Sequence, residues 1–388
     1  MHVLWMASWY PDPYENKNGD FIQRHAKAVA KLLPVDVVHV VQSGSAVATK
    51  QGSIHTKENN LREFIFSFNY KPWGISRIDK IRYNIKYQLF YNRLLDNYFK
   101  QYGVPDLIHV HAPMKAGVIA RKIASHWHIP YIISDHSSMY DINAVDHFNS
   151  RSLYFKKQLA KVYKKATASI NVSNAMAAKA EELFQVKNTL IIRNVTDTSL
   201  FYFSEKNDTG IFRWIHVSTL YPLKNVQKII KAFSNIDSIQ SNWQLIIVGG
   251  ANEALKQFVN EKGLAQKILF TGELTYDAVA KEMQRASAMV MFSKHENFPC
   301  AIIEALCCGL PVVTSNVGGI SEAVDSTNGI LVENENLPAL QAAILKMMQN
   351  YSYYHPKQIA ADASDRYSEE IIGNKFIQLY KNLLSGHK

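Results

Sequence analysis

Short apolar runs alternate along the chain with segments whose apolar positions recur at helical spacing, a pattern that predicts strands separated by helices. The first half then holds strands at Val3–Ala7, Asp36–Val41, Leu107–Val110 and Tyr131–Ser134, with helices at Phe21–Leu33 and Ala116–Trp127. Leu153–Ala166, Ser169–Val172 and a helix at Ala175–Leu183 follow. A new series opens with a strand through Phe212–Ser218 and continues through helix Val226–Phe233, strand Gln244–Val248, helix Glu253–Glu261 and strand Ile268–Thr271. Helix Tyr276–Arg285, the apolar run Ala288–Phe292, helix Ala301–Cys308 and strand Pro311–Thr314 complete this core, with Ile330–Val332 at its edge. A polar, tyrosine-rich connector at Asn350–Lys357 leads to a last helix, Ser368–Leu384. Strands alternating with helices at this pitch imply α/β architecture, with parallel sheets covered on both faces.

At 388 residues the chain exceeds one ordinary domain and fits two of roughly 150–200 residues each. The polar passage Ser204–Gly210 places the boundary near residues 194–210. A hydrophobic share of 47% with 17 glycines and 12 prolines supplies full cores and excludes a disordered or fibrous chain. The opening Met1–Ser8 lacks a basic start, and Trp9-Tyr10-Pro11-Asp12 cuts its apolar run short, so it reads as a first strand and loop in place of a signal peptide. No apolar stretch approaches the roughly eighteen residues that a spanning helix needs. Cys300, Cys307 and Cys308 share one segment without a second ligand pair at zinc spacing. They read as small core or loop residues in a reducing, cytoplasmic compartment.

A formal net charge of +10 signals an anionic partner. Residues 70–102 mix Lys71, Arg77, Lys80, Arg82, Lys86 and Arg93 with Trp73, Tyr83, Tyr87, Phe90 and Tyr91, and Ile78, Ile81 and Ile85 fall at helical spacing. A second basic run contains Arg151, Lys156, Lys157, Lys161, Lys164 and Lys165. Such stretches suit the anionic inner face of a membrane, and equally a solvated helix face with aromatics packed beneath. No nucleic-acid motif is recognisable, and nucleic acid is not an expected partner.

The densest candidate chemistry is Glu296 and Glu304, eight positions apart. They bracket a change from strand to helix, with Pro299 suited to the first helical turn. One carboxylate is thus expected on the loop at the carboxyl end of a strand and the other inside the next helix, at the edge where open α/β sheets bind ligands. Two such acceptors can hold separate parts of one polyhydroxy ligand, although carboxylates also favour helix starts for capping alone. Three further loops point to the same edge: Ser218–Asn225 with Lys224, Val248-Gly249-Gly250-Ala251, and Asn316–Glu322 with Gly318-Gly319. A lysine near a helix start can meet a phosphate, and glycine-pair amides can cradle an anion.

Glu296-Asn297-Phe298-Pro299 through Glu304-Ala305 to Gly309-Leu310-Pro311-Val312-Val313 resembles the E-x-F-(G/P)-x4-E-A-x3-G-x-P-V-V signature of the retaining nucleotide-sugar glycosyltransferases of family 4. Val317–Glu322 follows at the expected distance, and Leu220–Lys224 sits where that family has its donor-phosphate lysine. Ile192–Asp197 is similar to the family's domain junction, and Asn18–Phe21 to the glycine loop facing the diphosphate. The likeness is densest across roughly residues 212–335. It implies a GT-B fold of two Rossmann-like doubly wound parallel-sheet domains facing across a cleft. Residues 1–198 would bind acceptor, residues 199–366 would bind nucleotide-sugar, and the helix in 367–388 would pack toward the first domain.

By the same resemblance Glu296 holds the donor-sugar hydroxyls and Glu304 the ribose. Asn297, Phe298 and Pro299 shape the sugar pocket through their backbone and Cys300 joins the donor-binding set, while Gly249 and Gly250, as glycines after a strand, allow close approach by a ligand backbone or base. Lys224 neutralises the leaving diphosphate with the amides of Gly19, Gly318 and Gly319. His136 stands near the reacting sugar, and a histidine hydrogen-bonded at a strand end is the alternative. The family's G-R-L is replaced by Ser218-Thr219-Leu220, and Thr219 cannot supply the fixed charge of a guanidinium. No D-x-D motif stands where a donor would bind, so no divalent metal and no cofactor is expected, the nucleotide-sugar being a co-substrate. A glycan or lipid-linked acceptor and peripheral attachment at the inner membrane face are implied. A glycosidase would explain the two carboxylates but not the phosphate-type loops. A GT-B epimerase and a nonenzymatic nucleotide-sugar-binding subunit remain open. A dinucleotide dehydrogenase lacks its G-x-G-x-x-G after the first strand.

Overall fold

The computed structural model describes residues 1–42, 53–140, 147–186, 188–206, 210–250 and 252–385. It divides into two units: residues 1–172, 176–193 and 372–388 form the first, and residues 173–175 and 194–371 the second.

The first unit runs β1 (Val3–Ala7), α1 (Asp20–Ala30), β2 (Val35–Gln42), β3 (Ser53–Glu58), β4 (Leu61–Phe68), α2 (Ser76–Tyr102), β5 (Leu107–His111), α3 (Ala116–Trp127), β6 (Tyr131–Asp135), α4 (Leu153–Lys165), β7 (Ala168–Asn171), α5 (Asn174–Phe184) and β8 (Thr189–Ile191). Its eight strands lie in the order β3-β4-β2-β1-β5-β6-β7-β8, parallel except where β3 pairs antiparallel with β4. Every residue of β1, β5, β6 and β7 is buried, as expected of central strands covered on both faces. The sequence pattern does not separate the β3–β4 hairpin. Its alternation is broken by charged residues. Lys57 and Glu58 lie on the edge strand β3, which tolerates charge. Arg62 and Glu63 lie one strand in, on β4, and are paired, Arg62 with Asp36 and Glu63 with the hydroxyls of Tyr10 and Thr56 and the amide of Gln23.

The basic, aromatic-rich segment folds as α2, and its faces are divided in an unexpected way. Tyr87, Tyr91, Leu95, Tyr98 and Phe99 are buried in the core, whereas Ile78, Ile81, Ile85 and Leu89 are 43%, 61%, 54% and 65% exposed. The isoleucines at helical spacing therefore form an outward stripe, and the aromatic residues carry the packing.

The second unit runs β9 (Phe212–Val217), α6 (Val226–Ile236), β10 (Trp243–Val248), α7 (Glu253–Glu261), β11 (Ile268–Gly272), α8 (Tyr276–Arg285), β12 (Ala288–Met291), α9 (Cys300–Cys307), β13 (Val312–Ser315), β14 (Gly329–Val332), α10 (Leu337–Gln349) and α11 (Pro356–Tyr367). Its sheet has the order β11-β10-β9-β12-β13-β14, all parallel. Between β9 and β12 the strand order reverses direction, which makes the carboxyl ends of those two strands the expected ligand edge.

The stretch expected to be a connector at Asn350–Lys357 is a short turn that already enters α11 at Pro356, and α10 has no counterpart in the sequence pattern. Pro338 sits in the first turn of α10, with the Asn336 side chain accepting from Ala339 N, a start signal that the sequence does carry. The final helix, α12 (Glu369–Ser385), places its residues from Ile372 onward in the first unit. There Phe376 lies 6.0 Å from Trp5 and the Tyr380 hydroxyl bonds His109.

Candidate functional site

The second unit's site begins where β12 delivers the chain to the carboxyl edge. Backbone and side-chain bonds peg the loop that follows at four points. Ser315 Oγ donates to Ser293 O at 2.6 Å, Lys294 N to Leu223 O at 2.8 Å, Gly319 N to Asn297 O at 3.0 Å, and Asn194 Nδ2 to Phe298 O at 2.6 Å. These bonds tie the loops after β9, β12 and β13 to one another.

Glu296 is thereby held with 8% of its surface exposed, and its Oε1 lies 2.6 Å from Lys224 Nζ. Lys224 closes a tight turn at Pro222–Lys224, flanked by Leu220 and Asn225 at φ 56°. Beneath that turn His216 Nδ1–H donates to Val290 O at 2.9 Å, which leaves Nε2 to accept the Ser218 hydroxyl at 2.8 Å. Ser218 Oγ in turn accepts from Leu220 N. Burial pushes His216 down to about 4, so a neutral imidazole supports the lysine loop.

Glu304 lies in α9, is 4% exposed, and accepts the Tyr276 hydroxyl at 2.9 Å. Tyr276 begins α8, its ring 4.8 Å from Phe201. Sequence reasoning misses Tyr276 as a site residue because it reads only as a helix start. Asn194 and Ser218 likewise read as parts of a junction and a loop, their polar side chains being the available signal.

Gly318 shows why its position needs a glycine. Its φ is +55°, and an added Cβ would stand 1.6 Å from Glu296 O, so a side chain there would displace the glutamate loop. Pro299 is extended and precedes α9 as its cap, one residue earlier than the expected first turn; Cys300 is the first helical residue. Phe298 is buried, 5.8 Å from Tyr367. Thr219 is exposed on the loop after β9, and Gly249 and Gly250 follow β10. Cys307 and Cys308 are buried, which pushes their thiols up, Cys307 to about 12. They are unreactive as thiolates.

The structure therefore joins Glu296 to Lys224, and Asn297 to Gly319, while Glu304 is oriented from α8. Gly19 and His136 belong to the first unit. Gly19, at φ +67°, caps α1, and its carbonyl accepts from Ile22 N at 2.8 Å. His136 follows β6 and packs against Phe21, His25 and His111, with ring separations of 4.7, 5.8 and 6.1 Å. Burial, then the nearby His25, hold it well below the usual histidine value. Three more buried histidines join it: His25, which bonds Arg193 O, His109, which bonds Tyr380 and Ser134, and His111, stacked on Trp5 at 4.0 Å.

Two family models match adjacent stretches of the chain: Glycosyltransferase Family 4 over residues 69–200, and Glycosyl transferases group 1 over residues 202–365. The chain belongs to the family 4 glycosyltransferases, and its two units have the GT-B fold. It is 23% identical over 364 residues to the Bacillus subtilis glycosyltransferase TuaC, provisionally assigned to teichuronic acid biosynthesis, covering 89% of each chain. Among solved structures it is similar to the sucrose-phosphate synthase of Thermosynechococcus elongatus, with a TM-score of 0.81 at 19% identity and all of both chains covered. It is also similar to Anabaena HepE in complex with UDP, with a TM-score of 0.72 at 18% identity, over 98% of this chain and all of that one.

Proposed function

We infer that this glycosyltransferase moves a sugar from a nucleotide-sugar to a hydroxyl of a glycan or lipid-linked acceptor, with retention of configuration and without a metal ion or other cofactor. The observation that carries this reading is the joining of Glu296 and Lys224 on adjacent strand ends, with Glu304 oriented separately by Tyr276. Glu296 keeps acceptor capacity for a sugar hydroxyl while paired, and an ammonium has two further N–H donors for a phosphate. One ion pair can therefore align the sugar and the leaving diphosphate together.

In the transfer step the bond between the anomeric carbon and the diphosphate oxygen breaks and charge develops on that oxygen, while the acceptor hydroxyl oxygen bonds the same face of the anomeric carbon and gives its proton to the departing diphosphate. Lys224 and the backbone amide of Gly318 are the groups of the second unit assigned to stabilise the charge, since preorganised donors matter most where charge appears. The Gly319 N–H is spent on Asn297 O at 3.0 Å and holds the sugar-pocket loop instead. Glu304 accepts from the ribose and takes no part in bond breaking. Asn297, Phe298, Pro299 and Cys300 form the sugar pocket, with Gly249 and Gly250 at its margin. With Thr219 in place of the family's arginine, Lys224 carries more of the diphosphate charge.

The complex of HepE with UDP supports a nucleoside-diphosphate leaving group. The provisional assignment of TuaC supports a place in surface-polysaccharide synthesis. Among the described residues no helix is long and apolar enough to cross a membrane. We place the protein in the cytoplasm, attached peripherally at the inner membrane face through the exposed stripe of α2.

Incubation with a panel of nucleotide-sugars, with and without membrane extract, tests the reading by following nucleotide release. Release that depends on extract is expected. Conversion of the sugar without extract would instead indicate an epimerase, and tight binding without turnover a binding subunit.

A further inference from the structure

The carboxyl edge of the first unit's sheet holds a cavity of about 870 Å³, a size usual for small-molecule sites of ~300–1,000 Å³. Its floor comes from the loops after β1, β5 and β6, through Ser8 and Trp9, Ala112–Lys115, and Ser137 with Met139. β1 and β5 are neighbours, whereas the chain leaves β1 for β2 on its other side, so the cavity sits at this sheet's own switch point. Its walls are α2 and the start of α4.

Two properties of the lining restrict what it can hold. Ile81, Ile85, Met114, Val118 and Phe155 give it an apolar wall. The cationic residues in that lining are Lys80, Lys115 and Arg151, Tyr87 and Tyr154 add phenols, and no carboxylate is among its described residues. The acid of the adjoining helix turn, Asp79, is occupied elsewhere, accepting from Trp73 N, Gly74 N and Tyr70. Asp135, below the β6 loop, is enclosed by the hydroxyls of Tyr140 and Tyr163.

Ile81 and Ile85 belong both to the cavity wall and to the exposed stripe that continues through Ile78 and Leu89. At the start of α4, Tyr154 lines the same cavity and is 58% exposed. The apolar wall is thus continuous with an apolar outer surface. Lys115 lies at the N-terminus of α3, and Arg151 and Ser152 at that of α4, so both helix dipoles reinforce the positive charge.

Taking the chain as a transferase, as proposed above, we propose that this cavity holds the acceptor and selects an anionic amphiphile: an aliphatic chain along Ile81 and Ile85, with a phosphate or diphosphate beside Lys80, Lys115 and Arg151. A neutral glycan would neither answer the positive charge of this lining nor cover its apolar wall. A lipid-linked phosphate does both, and its tail leads out along the stripe toward a bilayer.

Calorimetric titration of the full chain with geranyl phosphate, geraniol and inorganic phosphate, without any donor present, tests this independently of the nucleotide-sugar assignment. Geranyl phosphate is expected to bind at least tenfold more tightly than either fragment. Ile85→Glu should weaken it at least tenfold, and Lys115→Gln threefold or more while leaving geraniol unchanged. Nucleoside diphosphate affinity, measured in the same variants, should stay at the wild-type value and reports that the second unit is intact. Geranyl phosphate binding no better than its fragments, or binding unaltered by Ile85→Glu, would overturn the assignment. So would a neutral oligosaccharide that binds in its place and is lost in the same variants.

Discussion

Glu296 and Glu304 are both buried carboxylates near one sheet edge, yet their partners differ in a way that separates their roles. Glu296 meets a cation at 2.6 Å, and Glu304 a neutral hydroxyl at 2.9 Å. Removing the second contact by Tyr276→Phe should cost about 1 kcal/mol, as a single neutral hydrogen bond does. The expected outcome is nucleoside diphosphate affinity roughly fivefold weaker with turnover at saturation nearly unchanged, read by calorimetry and steady-state kinetics. Gly318→Ala acts on the other carboxylate through the backbone, because its Cβ would collide with Glu296 O. A loss of roughly 3 kcal/mol is expected from displaced loop and strained φ together, visible as a lower midpoint in thermal unfolding. An alanine variant as stable as wild type would show that the loop yields without cost.

At the scale of elements, α2 carries the clearest expectation. An apolar stripe bounded by Lys80, Arg82 and Lys86 should bind anionic vesicles at low salt and release them as salt rises, since the basic contribution is screened. Flotation of the wild-type chain should show this, and Ile78→Glu with Leu89→Glu should abolish it without unfolding, both residues being already exposed. Retention of the double variant on vesicles would remove α2 from the interaction. The helix also shows how far a sequence speaks. Its spacing of isoleucines announces an amphipathic helix, but not which face turns inward, because the same helix holds aromatics such as Tyr87, Tyr91 and Tyr98 that form a core by themselves. The parallel strands are legible because burial on both faces makes them continuous apolar runs. The β3–β4 hairpin and α10 are not, one because charge on the edge strand β3 and paired charges on β4 interrupt its apolar run, and the other because its start signal sits among polar loop residues. In the site, Glu296, Glu304 and Lys224 stand out by motif, whereas the Tyr276 contact joins residues 28 positions apart and only the fold brings them together.

The molecule as a whole should lose stability in mild acid. His25 and His216 are buried, and each is pushed from 6.5 to about 4; burial also lowers His109, His111 and His136. A depressed histidine favours the neutral form in the folded chain, so its contribution is intact above pH 6.5 and is withdrawn as pH falls from there toward 4. His25 and His216 should each withdraw roughly 2 kcal/mol by about pH 5. Asp135, raised by burial, opposes this in part as it gains a proton. Urea unfolding at about pH 7.5 and about pH 5 should show the lower midpoint in acid, and equal midpoints would mean that these imidazoles are more hydrated than their burial indicates. The division of labour in the second unit is the central claim, and binding of a nucleoside diphosphate tests it most directly. In titrations of wild type, Glu304→Ala and Glu296→Ala, the Glu304 variant should bind at least tenfold more weakly through loss of its ribose contact. The Glu296 variant should bind as well as wild type or better, because Lys224 is released to the phosphates, while its sugar transfer disappears. Equal weakening of nucleotide binding in both variants, or wild-type transfer by Glu296→Ala, would contradict it.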